Sequence, residues 1–215
     1  RQRSIGLALG MNVLVTTVMM STFVVGPFFL AFALHLNEAL VGLVMAVGPA
    51  TAALSGVPAG RITDRFGGRR VALVGLCQMI ASLVALALLP RVFGVAGYVV
   101  SLMFLTPGFQ MFLAANNTTV MFAAPPDRRG TLSGLLGLSR NLGLMTGASA
   151  MGAVFAAALG PVGVTEAPEA AVGHAFTVSY LVATGLVVAA LVLALVDRPP
   201  RAPGIDATRR TPDDR

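Results

Sequence analysis

The stretch GRITDRFGGRR, Gly60 to Arg70, sets four arginines and one aspartate between two long apolar runs. The residues on either side, 39–60 and 71–90, are dominated by Ala, Val, Leu, Gly and Met. Charge this dense between runs this apolar reads as a water-facing turn joining two membrane helices.

The composition agrees. The chain is 56% hydrophobic and 11% charged, with a mean hydropathy of +0.83, whereas soluble domains carry about 25% charged residues. A soluble protein this apolar could not cover its own surface with polar groups. All fifteen basic residues are arginine, and the net charge is +6. These arginines lie between apolar runs and at the chain ends, not on a basic face interleaved with aromatics, which argues against a nucleic-acid partner. Cys77 is the one cysteine, which excludes an intrachain disulfide and a Cys-based metal site; it reads as a small side chain packed in an apolar run. The sequence has no His/Asp/Glu cluster, no Ser–His pairing and no phosphate-cradling loop, so no metal, no cofactor and no catalytic site is expected, and neither an enzyme nor an ATP-driven pump. With no initiator methionine and no leader arrangement, the chain reads as a piece cut from a longer polypeptide.

A bilayer core needs about 20 apolar residues per helix. Six segments qualify, at roughly 7–34, 39–60, 71–90, 94–122, 131–159 and 174–196. Pro27, Pro49, Pro58 and Pro107 fall inside them; membrane helices tolerate such prolines because neighbours re-satisfy the freed carbonyls. Arg1 and Arg3 precede the first segment, Arg61, Arg65, Arg69 and Arg70 follow the second, Arg128 and Arg129 follow the fourth, and Arg198 and Arg201 follow the sixth. The opposite loops hold His35 and Glu38, then Arg91, then Glu166 and Glu169. Arginine on alternate loops is the positive-inside pattern and puts both termini in the cytoplasm. The expected fold is all-α, a polytopic six-transmembrane-helix bundle over 1–197. The Pro-, Arg- and Asp-rich residues 198–215 read as a disordered cytoplasmic tail.

The opening stretch resembles the signature loop of the major facilitator superfamily, roughly G-x-L-x-D-R-x-G-R-R. Gly60, Ile62, Asp64, Arg65 and Gly67 match in order, and Arg69 and Arg70 supply the basic end; Gly68 stands where the pattern usually has a basic residue. A second stretch, RGTLSGLLGLSRNLGLMTGASAMGAVF from Arg129 to Phe155, resembles a C-terminal-half helix of the 14-helix drug:proton antiporter branch. There Ser133, Gly134, Leu135 and Leu136 are followed by Arg140, Asn141, Leu142 and Gly143. The resemblance covers nearly all of 1–197 and implies the C-terminal six-helix half of such a transporter. It also implies a gating latch in the signature loop. Read from the residues, the glycines allow a tight turn, and Asp64 can accept from a helix N-terminus or pair with an arginine. The plainer alternative is that the arginines only set topology.

Polar residues inside a membrane mark pathways or helix contacts. Asn12 and Thr16 are four apart and share a face, beside Thr17; Gln110 and Asn117 are two turns apart, near Asn116. The family's first, second, fourth and fifth helices of each half line a central cavity, which makes Asn12, Thr16, Gln110 and Asn117 candidate substrate residues; hydrogen bonding between helices is the alternative. Arg140 falls about twelve residues beyond Arg128, roughly 18 Å along a helix, and costs at least about 2.5 kcal/mol at membrane depth unless it meets water or a partner. It joins the candidate cavity, or else snorkels. Gly143, Gly147 and Ala150 form a small-residue stripe suited to helix packing. His35 and His174 fall near the non-cytoplasmic ends and read as interfacial residues, with a proton relay as the alternative.

The resulting expectation is half of a secondary transporter in the cell membrane. Its partners are the lipid bilayer, a small amphipathic or drug-like substrate exported in exchange for protons, and an N-terminal six-helix half of the same transporter. This half has no deep Asp or Glu, so a coupling carboxylate would belong to the other half. The alternative is a non-transporting or half-size membrane module that must pair with another six-helix half.

Overall fold

The computed structural model describes residues 2–161 and 163–196; the tail expected from 198 onward lies outside them. The described residues are almost all helical. α1 is Gln2–Phe28, prolonged by a π-helical turn at Phe29–Ala33; α2 is Glu38–Phe66; α3 is Gly68–Ala123; α4 is Arg129–Leu159, entered through a 3-10 turn at Pro126–Arg128; and α5 is Glu169–Val196. Five of these helical elements are long and apolar enough to cross a membrane.

The stops and starts are local chemistry. Asn37 caps α2, its side chain accepting from the Leu40 N–H at 2.9 Å, and Glu38 sits in the first turn where the helix dipole favours an anion. α2 ends at Gly67, with φ 84°, and α4 at Gly160, with φ 89°, conformations that favour glycine. The π-helical turn follows directly on Pro27, which has no N–H to continue the α-helical ladder.

The expected segments 71–90 and 94–122 belong to one helical element. A straight 56-residue helix would be about 84 Å long, far beyond a bilayer core of about 30 Å. Gly94, at φ 56° and ψ −132°, breaks it, and its two arms, 68–93 and 95–123, fold back side by side. A Cβ on Gly75 would lie 2.7 Å from Gly108 O, and one on Gly68 would lie 2.6 Å from Thr119 Oγ1. Gln78 Nε2 donates to Phe104 O at 2.8 Å across the same seam. The reversal takes a single residue because glycine alone reaches that backbone conformation at little cost. The second expected segment is also corrected: α2 runs to Phe66 rather than 60, so most of the charged stretch is helix.

α1 packs chiefly on α4 and α5, α2 on α3, and α3 on α5. The core holds Val15, Leu30, Leu83, Leu105, Phe112 and Phe176, with Phe29 stacked on Phe176 at 3.9 Å between ring centres. Helices are also tied by polar side chains reaching carbonyls: Thr17 to Gly143 O, Asn116 to Ala8 O and Thr177 to Ala87 O. Such bonds hold membrane helices together where lipid supplies no hydrophobic drive. Burial is uneven. In α1, 56% of the most apolar stretch is covered, against 6% in α2 and 22% in α4, so α2 and α4 have the most surface left to meet something else.

Candidate functional site

The charged stretch folds as a helix end, a one-residue turn and a helix start. Thr63 is buried and donates to Ala59 O, and the Gly67 N–H returns to Thr63 O at 2.9 Å. Gly68 then lies against the far arm of α3, where a Cβ would come within 3.0 Å of Ala115 O. A side chain at that position would also crowd Thr119 Oγ1, 2.6 Å from where its Cβ would lie, so glycine suits the close approach. A Cβ on Gly60 would meet nothing within 4 Å. Asp64 sits in the last turn of α2, not at a helix N-terminus, and is exposed. Arg61, Arg65, Arg69 and Arg70 are exposed as well, and Arg65 lies 5.4 Å from the centre of the Phe66 ring. Among the described residues the ion pairs are His35–Glu169 and Arg128–Asp127, so Asp64 pairs with none of these arginines.

The candidate cavity residues separate. Asn12 is 1% exposed; its Nδ2 donates to Ser139 Oγ at 2.8 Å and to Leu136 O at 3.2 Å. Thr16 is fully buried and donates to Asn12 O at 2.7 Å. Both lie sealed between α1 and α4 and present no open face, because a polar group in an apolar helix gains most by meeting a partner inside the bundle. Gln110 is half-buried and reaches Ala52 O of α2 at 3.2 Å. Asn117 and Arg140 are exposed, and Arg140 has no acidic partner among the described residues. The structure therefore does not gather these residues around one cavity.

Gly143 and Gly147 lie at the α1–α4 crossing. A Cβ on Gly147 would stand 2.6 Å from Thr17 O, and one on Gly143 would stand 2.6 Å from Val13 O and collide with Thr16 Oγ1. The opposite side of α4 is uncovered and carries Gly134, Gly137 and Asn141, while Arg140, seven residues before Gly147, is exposed at the edge of the packed side; Cβ atoms on Gly134 or Gly137 would meet nothing within 4 Å. On α2 the uncovered residues include Gly42, Ala46, Pro49, Ala50 and Ala53. Sequence reasoning missed the open small-residue face of α2, the arm-to-arm bond of Gln78 and the buried hydroxyl of Ser139. A glutamine in an apolar segment, with a proline three residues after its acceptor, was the available signal for Gln78.

A sequence profile described as the Major Facilitator Superfamily matches residues 7–213. The chain is 32% identical over 123 residues to an uncharacterized transporter, YebQ, of Escherichia coli (strain K12), covering 57% of this chain and 27% of that protein. It is 29% identical over 133 residues to the riboflavin transporter RibZ of Clostridioides difficile (strain 630), covering 62% of this chain and 29% of that protein. Its fold is similar to a crystal structure of a POT family transporter in complex with 5-aminolevulinic acid, with a TM-score of 0.73 at 19% identity over 90% of this chain and 37% of that one. It is similar also to a D-xylose–proton symporter, with a TM-score of 0.66 at 14% identity over 91% of this chain and 47% of that one. The chain thus spans between a quarter and a half of the proteins it resembles.

Proposed function

The chain belongs to the Major Facilitator Superfamily, and from that premise we propose that it forms the C-terminal half of a secondary transporter in the cell membrane. Residues 1–197 make the transmembrane domain. α1, α2, the two arms of α3, α4 and α5 supply six crossings, with both termini and the Gly60–Arg70 turn on the cytoplasmic side. The partner is an N-terminal six-helix half, and transport is rocking of the two halves around a site between them. The substrate class is small amphipathic or drug-like molecules, exported in exchange for protons, as in the 14-helix antiporter branch.

The observation that carries this reading is the small-residue stripe on each of the open faces of α2 and α4, set among larger exposed residues such as Leu43, Leu54 and Leu138. Small residues let backbones approach closely and so suit a second protein surface better than lipid. Arg140 is exposed at the edge of the α1–α4 crossing, where a cavity between halves would supply the water or counter-charge a membrane arginine needs. Asn117 is the other candidate cavity residue on an open surface, and Asn12 and Thr16 serve helix packing. Asp64, which has no ion-pair partner among the described residues, is available to latch against the other half, with Gly60, Gly67, Arg65, Arg69 and Arg70 shaping the turn.

The test is topology and transport together. Cysteines placed at the exposed Arg69 and Arg129 should be labelled only from the cytoplasmic side. Everted vesicles holding the intact transporter should accumulate an amphipathic dye when a proton gradient is imposed. Labelling from outside would overturn the topology, and dye uptake indifferent to the gradient would overturn proton exchange.

A further inference from the structure

At the end of the bundle where α1 begins and α4 begins lies a cavity of about 370 Å³. Ile5 of α1, Ala123 at the end of α3, Pro125 beyond it, and Leu132 and Leu135 of α4 make its apolar walls; Arg128 and Thr131 make its polar edge. It lies at helix ends, away from the midplane where transported substrates bind. Its volume falls in the range of small-molecule sites. We propose that this cavity binds one anionic phospholipid, with the phosphate at Arg128 and Thr131 and the start of an acyl chain against the apolar walls.

Three observations converge on that chemistry. First, the lining is amphipathic in the order a lipid requires, a cation and a hydroxyl beside a run of aliphatic and proline carbons. Second, no acidic residue lines the cavity. Asp127 Oδ2 stands 3.7 Å from Arg128 Nε, but their side chains are 75% and 71% exposed, so water screens the pair. The rest of the guanidinium fork remains for a phosphate, which it can bind with paired N–H donors. Third, Arg128 is followed by Arg129 in the sequence. On the proposed topology, on which this inference rests, this end of the molecule is set against the anionic headgroups of the cytoplasmic leaflet, where basic pockets between membrane helices hold acidic lipid. α4 also begins at Arg128 without a side-chain cap, so its first N–H groups add a weak favourable field for an anion. A soluble phosphate would leave the aliphatic walls unused, and a zwitterionic lipid would set its own ammonium beside the arginine.

The site is independent of what the protein transports, and the test needs no transport. The 215-residue chain, purified in detergent and stripped of lipid, is titrated with phosphatidylglycerol or phosphatidylcholine and read by native mass spectrometry. Phosphatidylglycerol should be retained preferentially, and Arg128→Gln should cut that preference about fivefold, the effect of one surface arginine on acidic lipid. The thermal midpoint in detergent should not move, because Arg128 is exposed. Arg91→Gln, at the opposite end, should leave the preference intact. Leu135→Trp fills the cavity and should reduce retention of both lipids; if either cavity variant melts early, Thr131→Val is read in its place and should weaken phosphatidylglycerol alone. Equal retention of the two lipids, or an unchanged preference in Arg128→Gln, would overturn the proposal. So would displacement of the lipid by an equal concentration of glycerol phosphate, which would make this a soluble-anion site.

Discussion

The outer surfaces of α5 and α2 are both apolar, yet they are built from different residues. α5 shows chiefly Leu181, Val182, Val188, Val192 and Leu195 to its surroundings, whereas α2 sets Gly42, Ala46, Pro49, Ala50 and Ala53 on one stripe, flanked by the exposed Leu43, Leu54 and Val57. Large aliphatic side chains are what lipid tails meet at no cost, and small ones are what a neighbouring helix needs in order to close in. α4 demonstrates the second case within the chain. Its Gly143–Gly147 side is closed against α1 at backbone distance, while its Gly134–Gly137 side is open. The difference teaches that small residues close a helix crossing at Gly143 and Gly147, and that α2 and α4 each carry a further small-residue stripe with nothing packed on it.

The comparison can be broken most forcefully at its filled stripe. Gly147→Leu should cost about 3 kcal/mol or more, at the upper end of overpacking penalties, because Thr17 O and the Met20 Cβ already stand 2.6 and 2.8 Å from where a Cβ would lie. An unfolding midpoint in denaturing detergent reads this, and Gly134→Leu on the open stripe should leave that midpoint where it is. Loss of stability in both would mean that the open stripe is already packed.

Arg140 sharpens the comparison at the edge of the packed side of α4. Arg140→Ala should reduce transport by the intact protein by about tenfold or more, since a membrane arginine held at about 2.5 kcal/mol or above needs an offsetting role. Arg91→Ala, which removes the same charge from a helical turn beside Pro90, should not; equal transport by both variants at equal expression would make Arg140 a tolerated snorkelling residue. Asp64→Asn should lower transport more modestly and leave membrane insertion unchanged, because Asp64 is exposed, has no ion-pair partner among the described residues and would find one in the proposed other half. Normal transport by that variant would leave the charged turn as a topology signal alone. The smallest effect belongs to the far end. His35 Nε2 and Glu169 Oε1 are 2.6 Å apart, joining the α1–α2 link to α5, but the side chains are 68% and 65% exposed. His35→Ala should shift the unfolding free energy by less than about 1 kcal/mol, and a larger loss would make this pair a structural strap.

Much of this was legible before any coordinates. Apolar runs and alternating arginines located the helices, because hydropathy needs only composition over a window. The boundary at Phe66 was not legible, because arginine and aspartate are ordinary residues in the last turns of a helix that has left the hydrocarbon. Gly94 gave little sign of its role, since one glycine in an apolar run reads alike as packing or as a turn until its backbone is known. Asn12 was read toward a cavity because spacing says which residues share a face and not what that face meets; Ser139, its partner, lies 127 residues away. Gly68 departs from the charged pattern and suits the close approach of Ala115 and Thr119.

The central claim is that the open faces of α2 and α4 meet protein while those of α3 and α5 meet lipid. Nitroxide labels at Ala50 and Ser133 on one side, and at Val84 and Val188 on the other, test it in the intact transporter in bilayers, read by collision with oxygen, which concentrates among lipid tails. The account predicts high oxygen accessibility at Val84 and Val188 and low accessibility at Ala50 and Ser133. Equal, high accessibility at all four would contradict it, because α2 and α4 would then face lipid and have no second half to meet.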